Sequence, residues 1–110
     1  MAEAFCYLTT TGRRTGRAHT IEIWFGQDGD AGTLYLLSGG GDGADWVRNG
    51  RATPEVTVRI GSTSYDARFR LVDDPDEDAL ARRLLLEKYD DKGELADWGR
   101  RSLAVALDLR

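Results

Sequence analysis

Apolar residues recur at every second position in four separate stretches of the sequence. These stretches cover residues 19–26, 55–61, 62–72 and 102–110. A repeat of two residues is the period of a β-strand with one face buried. Residues 4–12 and 33–38 are rich in aromatic, β-branched and leucine side chains and also predict strands. The sequence therefore predicts six strands, of which the first three form an antiparallel meander.

Three segments predict helices. Residues 44–52 predict a short helix with Asp45 in its first turn. Residues 75–89 predict a longer one, because Pro75 suits a first helical turn and the carboxylates around it favour the positive end of the helix dipole. A third, shorter piece spans 95–101. A helix between the third and fourth strands and a longer one before the last strand do not follow a βαβα rhythm. We therefore expect a mainly β, α+β fold built on a β-barrel.

Length and charge narrow the class of protein. At 110 residues the chain predicts a single domain, 1–110. It has no run of about 18 apolar residues and no secretory signal at its N-terminus, so we expect a cytoplasmic protein without a membrane span. Ten of the acidic residues fall between 73 and 97, whereas Arg13, Arg14 and Arg17 cluster near the start. A small basic site fits a compact anionic ligand better than nucleic acid.

Two glycine-rich segments could hold such a ligand. The first is TTTGRRTGR, residues 9–17, where glycines allow close backbone approach and hydroxyl and guanidinium groups suit phosphate oxygens. A solvated hairpin explains the same composition equally well. The second is SGGGDG, residues 38–43, whose backbone N–H groups could wrap a phosphate or the edge of a flat ring, or simply form a flexible connection. Trp46 follows, and it could stack on a ring or fill the core.

The chain is poor in groups for hydrolytic chemistry. His19 is its only histidine and Cys6 its only cysteine. This leaves almost nothing for a histidine-based metal site or for Ser-His catalysis, so no metal is expected. We infer that a bound cofactor carries the chemistry while the protein supplies shape and fixed dipoles.

Three motifs together resemble the deazaflavin (F420)-dependent nitroreductase family of the split β-barrel flavin/deazaflavin oxidoreductase superfamily. They are LTTTGRRTGRAHT at 8–20, a strand ending in Ser38 followed by three glycines, and ATPEVTV at 52–58. Their order and approximate spacing agree over almost the whole chain. The resemblance implies a six-stranded split β-barrel, often a homodimer, that binds coenzyme F420. It further implies hydride transfer to a small electron-poor substrate such as an enone, quinone, imine or nitro compound.

The resemblance also implies roles for individual residues. The phosphate and polyglutamate end of the cofactor would be lined by Arg13, Arg14, Thr15 and Arg17. The deazaflavin ring would lie against Ser38, Gly39, Gly40 and Gly41, and the pocket would be closed by Trp46, Arg48 and Asn49. Two residues would be catalytic: Ser38 or Tyr89 would polarise the acceptor, and solvent or Tyr89 would supply the proton.

Two alternatives keep the same barrel. In one, FMN replaces the deazaflavin as the redox cofactor. In the other, the barrel binds a small molecule without any hydride transfer. Haem is a further, less favoured ligand, with His19 as its sole imidazole.

Overall fold

The structure is a computed structural model that describes residues 4–29, 32–89 and 95–110. Within these ranges the strands are β1 (Cys6–Thr11), β2 (Ala18–Ile23), β3 (Gly26–Asp28), β4 (Thr33–Ser38), β5 (Glu55–Ile60), β6 (Thr63–Leu71) and β7 (Leu103–Leu109). The helices are α1 (Asp45–Ala52), α2 (Pro75–Tyr89) and α3 (Ala96–Arg101), and a single 3-10 turn spans Gly41–Gly43. The three predicted helices are confirmed, and α2 covers the residues expected for it.

The strands form one antiparallel sheet in the order β2-β1-β5-β6-β7-β4-β3. The sheet curls so that six of its strands contribute side chains to one inner core. This core comprises buried residues that include Leu8, Phe25, Leu36, Val58, Phe69 and Leu107, with Ile21 partly buried against them. The mainly β barrel architecture expected from the alternation is confirmed in this coarser form.

The strand count and the early connectivity differ from the prediction. Seven strands are described instead of six, because the stretch 19–26 breaks after Ile23 into β2 and β3. At the break Phe25 enters the inner core while Trp24 packs against a different cluster. The predicted meander holds only in part: both consecutive antiparallel pairings occur, but β2 makes the one with β1 and β3 makes the one with β4. The break joins β2, at one end of the strand order, to β3, at the other end.

Helix α2 covers the outer face of β4 and β7. The residues buried there form an outer cluster: Tyr35, Leu37, Val72, Ala81, Leu85, Ala104 and Ala106. The last strand was expected to be half-buried, but Ala104 and Ala106 are as inaccessible as their inward-facing neighbours. When a helix covers the second face of a strand, both faces are buried and the residues on that second face are no longer polar.

An ion network fastens α2 to the sheet. Arg70 on β6 donates to Glu77 of α2 at 2.6 Å and to Asp108 of β7 at 2.8 Å. The Tyr35 hydroxyl donates to Glu77 at 2.8 Å. The guanidinium lowers the pKa of both carboxyl groups, while burial raises the pKa of Tyr35 to about 12. None of the helices in the described parts of the chain is long and apolar enough to cross a membrane.

Candidate functional site

Backbone hydrogen bonds of two glycines close the loop between β1 and β2. The Gly12 N–H donates to the Arg17 carbonyl at 2.7 Å, and the Gly16 N–H donates to the Gly12 carbonyl at 2.8 Å. Gly16 has a φ of 71°, a conformation that a residue with a side chain rarely adopts. Thr15 accepts a bond from the Arg17 N–H at 3.2 Å through its hydroxyl oxygen. The segment that the sequence singled out is thus an ordered turn that presents its arginines at the end of the sheet.

Helix α1 holds one of these arginines. The Asn49 Oδ1 accepts from the backbone N–H of Arg13 at 3.2 Å and from its Nη1 at 2.7 Å. One helical turn earlier, the Asp45 carboxylate accepts from Arg13 Nη2 at 3.2 Å. Residues four apart lie on the same face of a helix, which is why both side chains reach the same loop. Asn49 is 4% exposed, and its Nδ2 lies 3.5 Å from the Thr10 hydroxyl.

The helix reaches this position because of a glycine at its contact with β6. A Cβ on Gly50 would lie 2.4 Å from Cδ2 of Phe69, so no larger residue fits without movement. Trp46, one turn earlier, meets the same phenyl ring edge-on at a centroid distance of 6.3 Å. The close approach of α1 to β6 therefore brings Asp45 and Asn49 within reach of the loop.

The loop, α1 and the edge of β2 enclose a cavity of about 430 Å³. It is lined by Thr10, Gly12, Arg13, Arg14, Thr15, His19, Ile21, Asp45, Trp46 and Asn49. Five of the residues predicted for the site are thus brought together: Arg13, Arg14, Thr15, Trp46 and Asn49. One part of the wall carries guanidinium and hydroxyl groups, whereas Ile21 and the indole of Trp46 make another part apolar.

Thr10 and Gly12 lie in the predicted segment 9–17, whereas sequence reasoning missed His19, Ile21 and Asp45 as lining residues. The sequence assigned His19 no place in the deazaflavin site, but the hairpin register sets it directly opposite Thr10. Pairing β1 with β2 around the loop would have placed His19 beside Thr10. Asp45 was assigned only to the helix start, although its spacing of four from Asn49 indicates a shared face.

The second glycine-rich segment does not line this cavity. Ser38 is 2% exposed and its hydroxyl donates to the Gly41 carbonyl at 2.9 Å, closing a turn. Gly39 faces α3, where a Cβ would lie 3.3 Å from Trp98 Nε1. Gly40 is exposed and Gly41 half-buried. Arg17 and Arg48 are exposed and lie outside the set of residues lining the cavity.

Tyr89 belongs to the outer cluster, away from the cavity. Its ring stacks on Trp24 with 4.6 Å between centroids and 7° between planes. Its hydroxyl accepts from the Phe25 N–H at 3.0 Å and lies 2.8 Å from the Ala4 carbonyl. Burial raises the pKa of the Tyr89 hydroxyl. Tyr89 is therefore not among the residues that line the cavity.

Other reactive groups are not arranged for catalysis in the described residues. Cys6 is fully buried, and desolvation raises the pKa of its thiol to about 11. Three or more histidine, cysteine, aspartate or glutamate side chains placed to hold a metal ion do not occur within these ranges. The cavity offers guanidinium groups to an anion and an apolar wall to a ring.

Known proteins match the chain in both sequence and fold. The family model described as F420H(2)-dependent quinone reductase matches residues 2–109. An F420H(2)-dependent quinone reductase of Mycobacterium tuberculosis is 33% identical over 73 residues, which cover 64% of this chain and 48% of that protein. The chain thus spans about half the length of the curated relatives it matches.

Solved structures agree on the architecture. The structure of an F420-H2 dependent reductase, FDR-A, has a TM-score of 0.75 at 20% identity and covers 97% of this chain and 94% of that one. A domain-swapped dimer has a TM-score of 0.77 at 20% identity, covering 97% of this chain and 81% of that one. At such identities the likeness shows the fold alone, which is that of the FMN-binding split barrel.

Proposed function

Because this chain belongs to the F420H(2)-dependent quinone reductase family, we propose that it is a reductase that delivers a hydride from reduced F420 to a small electron-poor acceptor. Among the acceptors expected from the sequence, a quinone is the class that the family description names. Membership confirms the resemblance noted in the sequence and implies coenzyme F420 as the cofactor. When bound, the reduced deazaflavin supplies the hydride.

The donor set of the cavity fits that cofactor. A deazaflavin cofactor combines a flat ring with an anionic phosphate and glutamate tail. The cavity offers two guanidinium groups, from Arg13 and Arg14, and the hydroxyl of Thr15, all of which suit phosphate and carboxylate oxygens. Trp46 and Ile21 offer apolar contact for a ring. The single observation that carries the proposal is this cavity, with Arg13 already held in place at its wall.

The residues act by binding and orienting. Arg13, Arg14 and Thr15 would hold the anionic tail. Asn49 would act through Arg13, because its side-chain oxygen already accepts two bonds from that residue. Arg13 held in one orientation loses less conformational freedom on binding than a mobile arginine would. Asn49 is therefore a positioning residue in this proposal.

The roles assigned to Ser38 and Tyr89 stay predictions. Each hydroxyl donates to a backbone carbonyl here: Ser38 to Gly41 at 2.9 Å and Tyr89 to Ala4 at 2.8 Å. Either would have to exchange that bond for one to the substrate before it could polarise a carbonyl. Gly39, Gly40 and Gly41 do not line the cavity around Arg13, so their contact with the ring stays a prediction.

A homodimer is part of the proposal. Strand β2 is an end of the sheet, and His19 and Thr20 on it are exposed beside the cavity. An unpaired strand edge is a ready surface for a second chain. A fold neighbour described as a domain-swapped dimer supports association into a dimer. A second subunit at β2 would add a wall to the cavity.

A titration tests the assignment. Purified protein is titrated with F420 and with FMN, each followed by fluorescence, and turnover of F420H2 is measured with menadione, a naphthoquinone. We expect F420 to bind more tightly than FMN, and the variant Arg13→Ala/Arg14→Ala to lose at least about tenfold in F420 affinity, because charged hydrogen bonds are the strong ones. The control Arg51→Ala/Arg83→Ala removes the same charge from exposed positions outside the cavity.

Each outcome is informative. Unchanged F420 affinity in the Arg13/Arg14 variant would overturn the site. Tighter binding of FMN would transfer the proposal to a flavin enzyme on the same barrel. Tight F420 binding without turnover of any quinone, enone, imine or nitro acceptor would leave a binding module without hydride transfer.

A further inference from the structure

The guanidinium of Arg13, at the cavity wall, already pairs with a carboxylate. Asp45 Oδ1 accepts from Arg13 Nη2 at 3.2 Å, and both residues line the cavity. The two side chains differ in environment, since that of Arg13 is 24% exposed and that of Asp45 is 86% exposed. The carboxylate therefore sits on the solvent side of the pair, where an entering anion would arrive.

Arg13 is held on two separate edges of its guanidinium. Nη1 donates to the buried amide oxygen of Asn49 at 2.7 Å, whereas Nη2 faces Asp45. The bond to Asn49 is neutral on the acceptor side and compatible with a bound anion. The contact with Asp45 is not, because two negative groups at one guanidinium edge repel each other.

We infer that Asp45 is a specificity-determining residue that competes with the anionic group of the ligand for Arg13. The Asp45 carboxylate occupies the Nη2 edge, and an entering anion must displace it or share that edge. The competition weakens the binding of every anion at this cavity. A ligand that makes further contacts at the cavity can offset this cost. This inference rests on the proposed binding of an anionic tail at Arg13.

The sign of the effect separates this role from a structural one. Asp45 is in the first turn of α1, where a carboxylate favours the helix, and Ala44 before it gives no side-chain cap. Asp45→Asn should therefore destabilise the helix slightly. Structural damage to α1 would weaken ligand binding or leave it unchanged. Competition predicts the opposite, tighter binding by a slightly less stable protein.

The expected change is moderate because the pair is exposed. Removing the competing charge should tighten the binding of an anion by about 3- to 10-fold at low ionic strength. Salt screens exposed charges, so the difference should shrink to about twofold or less near 0.5 M salt. A purely steric effect of the substitution would not depend on salt.

The experiment uses two probes and a charge-matched control. F420 binding is followed by fluorescence and tripolyphosphate binding by calorimetry, for wild type, Asp45→Asn and Asp42→Asn. Asp42 is an exposed carboxylate in the turn before α1 and lies outside the cavity lining. We expect tighter binding of both probes by Asp45→Asn and a change of less than about twofold in Asp42→Asn. In an Arg13→Ala background the gain from Asp45→Asn should disappear.

The outcomes distinguish this inference from the proposed function. Equal affinities in Asp45→Asn and Asp42→Asn, with F420 still bound, would overturn the inference and leave the function standing. A gain that persists without the Arg13 side chain would also overturn it. If wild type binds tripolyphosphate with the expected pattern but does not bind F420, the inference stands and the proposed function fails. Absence of binding by every variant to both probes overturns both.

Discussion

Replacing Asn49 with alanine tests whether the polar contact between α1 and the arginine loop holds Arg13 in place. Asn49 is almost fully buried and accepts two bonds from Arg13, one of them from the guanidinium at 2.7 Å. Alanine removes the acceptor and leaves both donors of Arg13 to find water. The substitution therefore removes the link without changing the charge of the protein.

The magnitude follows from these bonds. A hydrogen bond to a charged group contributes about 1.5–3 kcal/mol, and the lower end applies because Arg13 is partly open to water. The bond from the backbone N–H adds about 0.5–1.5 kcal/mol. The 3.5 Å contact with Thr10 is at the limit of a hydrogen bond and is ignored. We expect a loss of about 2 kcal/mol in the free energy of unfolding, or a fall of about 9 °C in Tm for a chain of this size.

Urea denaturation followed by tryptophan fluorescence measures the loss, and an F420 titration of the folded variant measures the effect on the site. Affinity should fall about tenfold, since Arg13 must then be ordered by the ligand itself. Arg51→Ala is the control, because Arg51 is exposed on the same helix and should change stability by less than about 0.5 kcal/mol. If Asn49→Ala matches this control in both measurements, the contact has no energetic role. Lower stability with unchanged affinity would make Asn49 structural only.

Three further predictions follow from the packing and the buried groups. Gly50→Ala should destabilise the fold by about 1–3 kcal/mol in urea denaturation, because its Cβ would overlap the ring of Phe69. Stability should fall as pH drops through and below about 4, since the pKa values of Glu77 and Asp108 are lower in the folded state than in the unfolded one; melting temperatures at a series of pH values measure this. The Cys6 thiol, with its pKa raised to about 11, should resist a thiol reagent at pH 8 until the protein unfolds.

Each of these has a control within the chain. Gly43→Ala introduces the same methyl group where nothing lies within 4 Å, so equal loss in both glycine variants would contradict the clash. Removing the shared arginine with Arg70→Met should flatten the acid dependence, and an unchanged pH profile would assign it to other carboxyl groups. Rapid labelling of Cys6 in the native protein, at the rate seen in urea, would show that the β1 region opens readily.

The sequence alone determined the features that depend on a few neighbouring residues. Alternation identified the strand segments, and the proline with its neighbouring carboxylates located the start of α2, because side-chain burial and helix-end electrostatics act over a few residues. The glycines of 12–17 located an ordered loop for the same reason, and anion binding by its arginines stays a prediction. Residues 8–20 and 52–58 also carried the resemblance to the F420-dependent family that the match to 2–109 confirms.

Only the tertiary structure decided how these segments meet. The two ends of 19–26 join different strands, and α2 buries the outer face of the last strand; both depend on partners distant in sequence. The same is true of the site, where Asn49 and Asp45 reach Arg13 across more than thirty residues because Gly50 lets α1 approach β6. Periodicity reports that a face is buried, but it does not identify what covers that face. The pairing of strands and helices depends on the free energy of the whole packed arrangement, which no short segment contains.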